Sequence, residues 1–498
     1  MHIEKKPGRD VRKILLDGEL LETTEALALK LSHNFDFPRR IIEEISLIIS
    51  GQAIKFLDIG LEDRAFSHAA LYGTHGFGKD FTWKIAMTSG IFPFGATLHA
   101  ARLDNVTEAA LIGTITESEI VPPPTISQRI IFVGEYSTFM KGLNADKLAA
   151  NMRSLLGTGE YHRKLAKVVG LKEIVNDSTD KRRHRLMDEL EKYKKLGMSI
   201  DVNTGMIHVR TSTSWIISSA RFGSDLVYGK PLLSLGGVDR YRWRSYLPTR
   251  EERIRVTSEV GSLPSTSIQT AEIETVNEAW RILYTSLRKL TSGKSIEVPK
   301  DEASYQIRRK IWNETQKEIL DLFPDMNEVY EDQLLTLSAR AEFRRLMYQH
   351  AALKQFEREP GHDFSEPMKF RIDYEEDGEF AKQLWLNEYV PSIMNVIDDI
   401  MQRKSKRSKR TSKSVKGEKI VLKQLEEGSK TRKELLKCTR KAGIKDTLID
   451  NVVLPSLVEQ GLICKPTDYK VYILKDCGMC KFRDSCTSLT RDLIKKSL

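Results

Sequence analysis

No apolar run in this 498-residue chain approaches the roughly 20 residues needed to span a bilayer, so no membrane partner is expected. The opening residues, MHIEKKPGRD, lack the apolar segment of a secretory signal, and cytoplasmic, nucleoid-associated residence is the expectation. Cysteine is scarce, five residues in all, which excludes a disulfide-built scaffold; four of the five stand from Cys464 onward. Acid is missing from Arg403 to Lys416, RKSKRSKRTSKSVK, which carries eight Lys or Arg and a single apolar residue. Such a stretch reads as a solvated linker, either a plain tether or one that also contacts nucleic-acid backbone. The formal charge of +10 favours a polyanionic partner. No internal repeat is visible.

The most informative segment is Gly73 to Asp80, GTHGFGKD, placed between the apolar run Ala69-Ala70-Leu71-Tyr72 and the helix-compatible FTWKIAM. This strand-to-helix placement is the context a phosphate-binding P-loop requires. Gly73, Gly76 and Gly78 let successive backbone N–H groups turn toward phosphate, and Lys79 can reach the terminal phosphates. Asp80 stands where the magnesium-ligating Ser or Thr is usual. ATP is the expected ligand, with Mg2+ in question.

From residue 38 to 250 apolar strands alternate with helical patterns, with strands expected near 68–72, 96–101, 128–134, 213–219 and 240–246. That alternation predicts an α/β core with a mostly parallel sheet. In RIIFVGEYSTF an apolar strand ends in Gly134-Glu135. Glu135 is placed to activate water, while Gly134 occupies the position of a magnesium-holding carboxylate. TSTSWIISSARFG ends an apolar strand on Ser218 and Ser219, and Ser219 is the candidate sensor of the terminal phosphate. In VDRYRWRSYLP, Arg240, Arg242 and Arg244 alternate; Arg240 is the candidate finger for a neighbouring subunit's nucleotide, with solvent-facing arginines as the alternative. From 267 to 404 the apolar spacing becomes helical.

The order P-loop, acidic strand end, polar sensor strand and helical segment resembles an AAA+ ATPase, and several details resemble its MCM helicase branch. DNVTEAALIGTI is similar to that branch's insert between P-loop and acidic strand, and MSIDVNTGMIHVR to the hairpin before its sensor strand. SARAEFRRLMYQHAAL resembles the second-sensor helix, which implies that role for Arg340. The resemblance covers roughly residues 38–360 and 418–475. It departs from the branch in lacking an N-terminal DNA-binding barrel and both usual magnesium positions. It implies an AAA+ P-loop core with an all-α lid, homo-oligomer or ring assembly, and DNA as partner, alongside replication or transcription proteins. The activity implied is a helicase-like or remodelling ATPase in replication or mobile-element maintenance. The alternative is a nucleotide-binding scaffold or initiation regulator that does not hydrolyse.

Residues 418–475 read as three short helices and a two-strand wing, a winged helix. Its third helix, DTLIDNVVLPSLVEQ, is apolar and acidic and thus a poor reader of bases. Cys438 is expected in its core. Cys464, Cys477, Cys480 and Cys486 follow as C-x12-C-x2-C-x5-C, a thiolate set for metal. A [4Fe-4S] cluster is the first reading, since the ending resembles iron-sulfur loops of DNA glycosylases, and zinc is the alternative. The expected organisation is an extension (1–37), core (38–266), lid (267–402), basic linker (403–417), winged helix (418–475) and cysteine-rich tail (464–498).

Overall fold

The apolar runs gather into one sheet. A computed structural model describes residues 9–32, 35–58, 62–74, 79–95, 97–103, 113–115, 120–134, 152, 154–164, 169–177, 182–220, 240–260, 270–291, 296–298, 301–324, 326, 328–360, 369–408, 412–459, 462–464 and 471–474. Its principal strands are β1 (Ala69–Gly73), β2 (Ala100–Leu103), β3 (Ile130–Val133), β4 (Glu160–Lys164), β5 (Met198–Asp201), β6 (Met206–Arg210), β7 (Ser214–Ala220) and β8 (Arg242–Tyr246). Five of them form an all-parallel sheet in the order β8-β1-β7-β3-β2. Buried on both faces, β1 and β3 are continuous apolar runs, as central parallel strands must be. The second expected strand starts at Ala100, later than its apolar run suggests, because Gly95 (φ +85) turns the chain and Phe94 bridges Leu98 first.

Helices α1 (Arg9–Leu16), α2 (Leu20–Leu31), α3 (Asp36–Ile54), α4 (Lys79–Thr88), α5 (Arg182–Leu196), α6 (Thr270–Thr291), α7 (Glu302–Leu322), α8 (Leu337–Leu353), α9 (Tyr374–Leu384) and α10 (Val390–Ser408) surround the strands. α3 is buried along nearly its whole length and packs against α2, α6 and α8, which makes it the central helix of the core. Side chains of the helical segment after Thr270 and of the sheet share one hydrophobic cluster, and the first compact unit runs to Met401.

β4, β6 and β5 form a separate antiparallel sheet in that order. β5 and β6 are the hairpin expected before the sensor strand, and β6 passes through Thr211–Thr213 directly into β7.

The described residues of the basic stretch after Met401 are helical: α10 continues through Ser408, and α11 (Ser412–Glu426) begins four residues later. Lys and Arg are good helix formers, and both segments are continuous with amphipathic helices that nucleate them. The second unit adds β9 (Lys430–Thr431), α12 (Arg432–Lys441), a helical stretch over 446–459, β10 (Ile463–Cys464) and β11 (Val471–Leu474). Its strands pair antiparallel in the order β9-β11-β10 over a core of Val421, Leu425, Leu435, Ile449, Val453 and Leu457. α12 opens with a capping box, Thr431 and Glu434 each satisfying the other's backbone N–H. Cys438 is half-buried rather than in this core, its thiol donating to Gln424 Oε1 at 3.1 Å.

Candidate nucleotide site and its distant arginines

β1 ends at Gly73, and its backbone there lies so close to β8 that a Cβ would sit 2.9 Å from the Tyr246 carbonyl oxygen. Glycine is therefore required at Gly73 by strand packing as well as by any ligand. α4 begins at Lys79, so strand, short connection and helix follow one another as the motif demands. Lys79 and Asp80 occupy the first turn of α4. Gly76, Gly78 and Glu135 lie outside the described residues, as do Cys477, Cys480 and Cys486.

The sheet order makes the end of β1 a crevice. From β1 the chain crosses to the far edge at β2, returns through β3 and β7 beside β1, then passes over to β8 on the other side. Ligands in parallel sheets bind beyond the strand C-termini at such a reversal. Ser219 is buried and in register with Tyr72, with Ala220 opposite Gly73, so the candidate sensor stands one strand from the loop. β3 ends at Val133, and Gly134 N–H donates to Leu103 O at 3.4 Å. Lacking a side chain, Gly134 offers no metal ligand at the end of this strand.

Arg242 and Arg244 are not solvent-facing: both are buried, at 1% and 0% exposure. Arg242 pairs with Glu44 at 2.7 Å and donates to Gln349 Oε1 at 2.6 Å. Arg244 reaches Glu43 at 2.9 Å, Glu44 at 3.0 Å and Glu388 at 3.2 Å, and stacks over the Tyr389 ring at 4.7 Å. Burial alone would lower its pKa, but Tyr389, Glu43 and Glu44 hold the guanidinium well above its ordinary value. Burial pushes the Glu43 carboxyl up, against the pull of Arg244. These arginines tie β8 to α3 and do no chemistry at the crevice.

Arg240 lies at the other end of the sheet. β8 is parallel to β1 and starts with Arg242 opposite Ala69, so Arg240 precedes the edge where both strands begin. About 13 Å of strand, at roughly 3.3 Å per residue, separates that edge from Gly73. Arg240 packs its guanidinium on Gly157, and Arg64 donates to the Gly157 and Leu156 carbonyls at 2.5 and 3.1 Å. Burial, with the positive charges of Arg345 and Arg240 nearby, pushes Arg64 down to about 10. On α8, Gln349 bonds Ser67 Oγ at 2.9 Å and Arg344 pairs with Asp63 at 2.8 Å. Going back along α8 thus leads away from β1, and Arg340 stands a further turn in that direction. It lines a cavity of about 140 Å3 with Tyr305, Arg308, Trp312 and Arg344. The structure sets Arg240 beyond the start of β8, while Arg340 stands on α8 beside Arg308 and Arg344.

The hairpin tip is held by Asp201, whose carboxylate accepts from Asn203 N–H at 2.9 Å and Thr204 Oγ at 2.5 Å, with Gly205 at φ +71. Those hydrogen bonds, from Thr204 first, hold Asp201 below the usual carboxylate range. The tip carries no Lys or Arg; the basic side chains Lys194, Lys195 and Arg210 stand at its base.

In the second unit, Arg432 pairs with Asp450 at 2.5 Å, and Arg440 pairs with Asp446. Val452 and Val458 on the third helical stretch are exposed at 42% and 43%.

Sequence reading missed Arg64 and a cluster of Glu160, His162 and His208 on β4 and β6. Arg64 belongs to no motif. The cluster left one signal, Glu-x-His in β4 and His-x-Arg in β6, which places each pair on one strand face. No family model matches this chain, and no curated protein resembles it. Among the described residues no helix is long and apolar enough to cross a membrane.

Proposed function

We propose that this chain is a nucleotide-binding protein of the AAA+ type, similar to the MCM branch, that assembles from several copies and acts on DNA. The observation that carries this reading is the sheet order β8-β1-β7-β3-β2 with the GTHGFGKD segment leaving its interior strand at the reversal. In this reading Lys79 binds the terminal phosphates, Glu135 orients the attacking water and Ser219 senses the transferred phosphate. Arg240, set beyond the start of β8, serves the nucleotide of a neighbouring copy as a finger, and Arg340 stabilises charge from the helical lid. Mg2+ would neutralise charge on the phosphates; of the two usual ligand positions Gly134 supplies none, which leaves Asp80 as the candidate ligand. The second unit fits a winged helix, with Cys464 on its β10 and Cys477, Cys480 and Cys486 beyond it as a [4Fe-4S] or zinc site. Its acids are spent in pairs with Arg432 and Arg440, so phosphate contact falls to basic side chains elsewhere.

A second reading rests on exposed Val452 and Val458: the third helix docks a protein, and the chain is an assembly scaffold without turnover. ATP hydrolysis by the full chain, with and without single-stranded and duplex DNA, separates the two. DNA-stimulated turnover lost in Lys79→Ala supports the ATPase. Nucleotide binding without turnover transfers the case to the scaffold, and absence of nucleotide binding rejects both.

A further inference from the structure

Outside the crevice, β4 and β6 bring two imidazoles and a carboxylate together. His162 and His208 are register partners across the antiparallel pair, with ring centroids 4.1 Å apart and planes 9° from parallel. Glu160 is two residues from His162 on the same face of β4. The opposite face of this sheet buries Tyr161, Ile207 and Val209, so the backbone that presents the cluster is anchored. One ligand atom from each of the three residues lies within 4.8 Å of the others. His208 Nε2 is buried and makes no hydrogen bond, an uncommon condition for a ring nitrogen. Arg210 approaches Glu160 only at 3.6 Å, with both side chains substantially exposed, so that pair offers little resistance to a competing cation.

We propose that Glu160, His162 and His208 bind a divalent transition-metal ion of the zinc type. Two imidazoles and one carboxylate are the donor set borderline metals prefer, and three protein ligands leave a position open to water. Tetrahedral zinc with Zn–N near 2.0–2.1 Å needs ligand atoms about 3.3 Å apart, so the site must contract. Ring lone pairs lie in the ring plane, and parallel rings do not aim at one point; binding therefore splays the imidazoles, a motion open to the exposed His162. The ion staples β4 to β6, and β6 leads straight into β7, so the hairpin becomes rigidly joined to the strand that ends at Ser219. The site stands independently of the nucleotide reading.

The test is titration of chelator-treated full-length protein with Co2+, followed by displacement with Zn2+. The titration is read in the Cys480→Ser background, which disables the cysteine set, and the expected result there is weak visible absorption without a thiolate charge-transfer band. His162→Gln and His208→Gln each weaken binding by more than about tenfold, a loss typical of even supporting residues at metal sites. Zn2+ should also slow hydrogen exchange of the 198–210 hairpin in the wild type and not in His162→Gln. His162 is exposed, so this variant keeps the test valid even where His208→Gln fails to fold. Binding undiminished in His162→Gln, or cobalt bands that vanish only in Cys480→Ser, would overturn the site.

Discussion

Arg242 and Glu44 meet at 2.7 Å with neither side chain exposed to solvent, joining the edge strand β8 to the central helix α3. Two charges removed from water are tolerated here because neither is alone. Glu44 also accepts from Arg244 at 3.0 Å and from the Tyr389 hydroxyl, and Arg242 also donates to Gln349. Breaking such a buried pair by removing one partner costs about 3–5 kcal/mol. Glu44→Gln should therefore lower the unfolding free energy by an amount in this range, read from urea denaturation. Glu43→Gln, at a carboxylate that meets Arg244 alone at 2.9 Å, should cost clearly less than Glu44→Gln, which loses two arginine partners. Equal losses would show that the network does not centre on Glu44.

His68, just before β1, accepts the Trp215 N–H through Nδ1 at 3.1 Å and is wholly buried. Burial, reinforced by Arg64 and Arg345, holds its pKa well below 6.5. The folded chain keeps the ring neutral where the unfolded chain takes up a proton, so stability falls as pH drops below about 6.5. His68→Gln should show a shallower fall over that range than the wild type, measured as denaturant midpoint against pH. Parallel curves would remove His68 from the acid response.

Lys55 ends α3 at φ +64, a backbone region that favours glycine. Burial, with Arg129 and Arg288 nearby, pushes its amine down to about 7 from 10.5. Between those values the unfolded chain holds a proton that the folded chain lacks, so stability should rise with pH across the window. Lys55→Gly should flatten that rise and add roughly 1 kcal/mol from relief of backbone strain. Lys55→Met should flatten the rise without that gain. Thermal unfolding of the three proteins at neutral and alkaline pH tests both parts.

Arg240 precedes the edge where β1 and β8 begin, about 13 Å of strand from Gly73 at roughly 3.3 Å per residue. Under the proposed ATPase, Lys79→Ala and Arg240→Ala are each expected to lose turnover, while mixing the two variants restores part of it at shared interfaces. A mixture no more active than its parts would eliminate the role of Arg240 between copies.

Several elements were legible because their chemistry is local. β1, β3 and β7 announce themselves as apolar runs, and the helices after residue 267 as period-3.6 patterns. β8 was legible as a strand, yet neither the finger nor the solvent-facing alternative foresaw buried Arg242 and Arg244, because the glutamates that pair with them lie about 200 residues earlier in the chain. The basic stretch after Met401 misled for a related reason: charge composition speaks of solvation, whereas helix continuity depends on the segments it extends.

The sequence by itself determined the five strands of the parallel sheet, the helical character after residue 267 and the strand-to-helix frame of the GTHGFGKD segment, since each follows from neighbours within a few residues. Only the tertiary structure decided which strand lies beside β1, that Arg240 precedes the edge remote from Gly73, and that His162 faces His208. Those relations depend on sheet order and strand register, which long-range packing sets and no local pattern encodes.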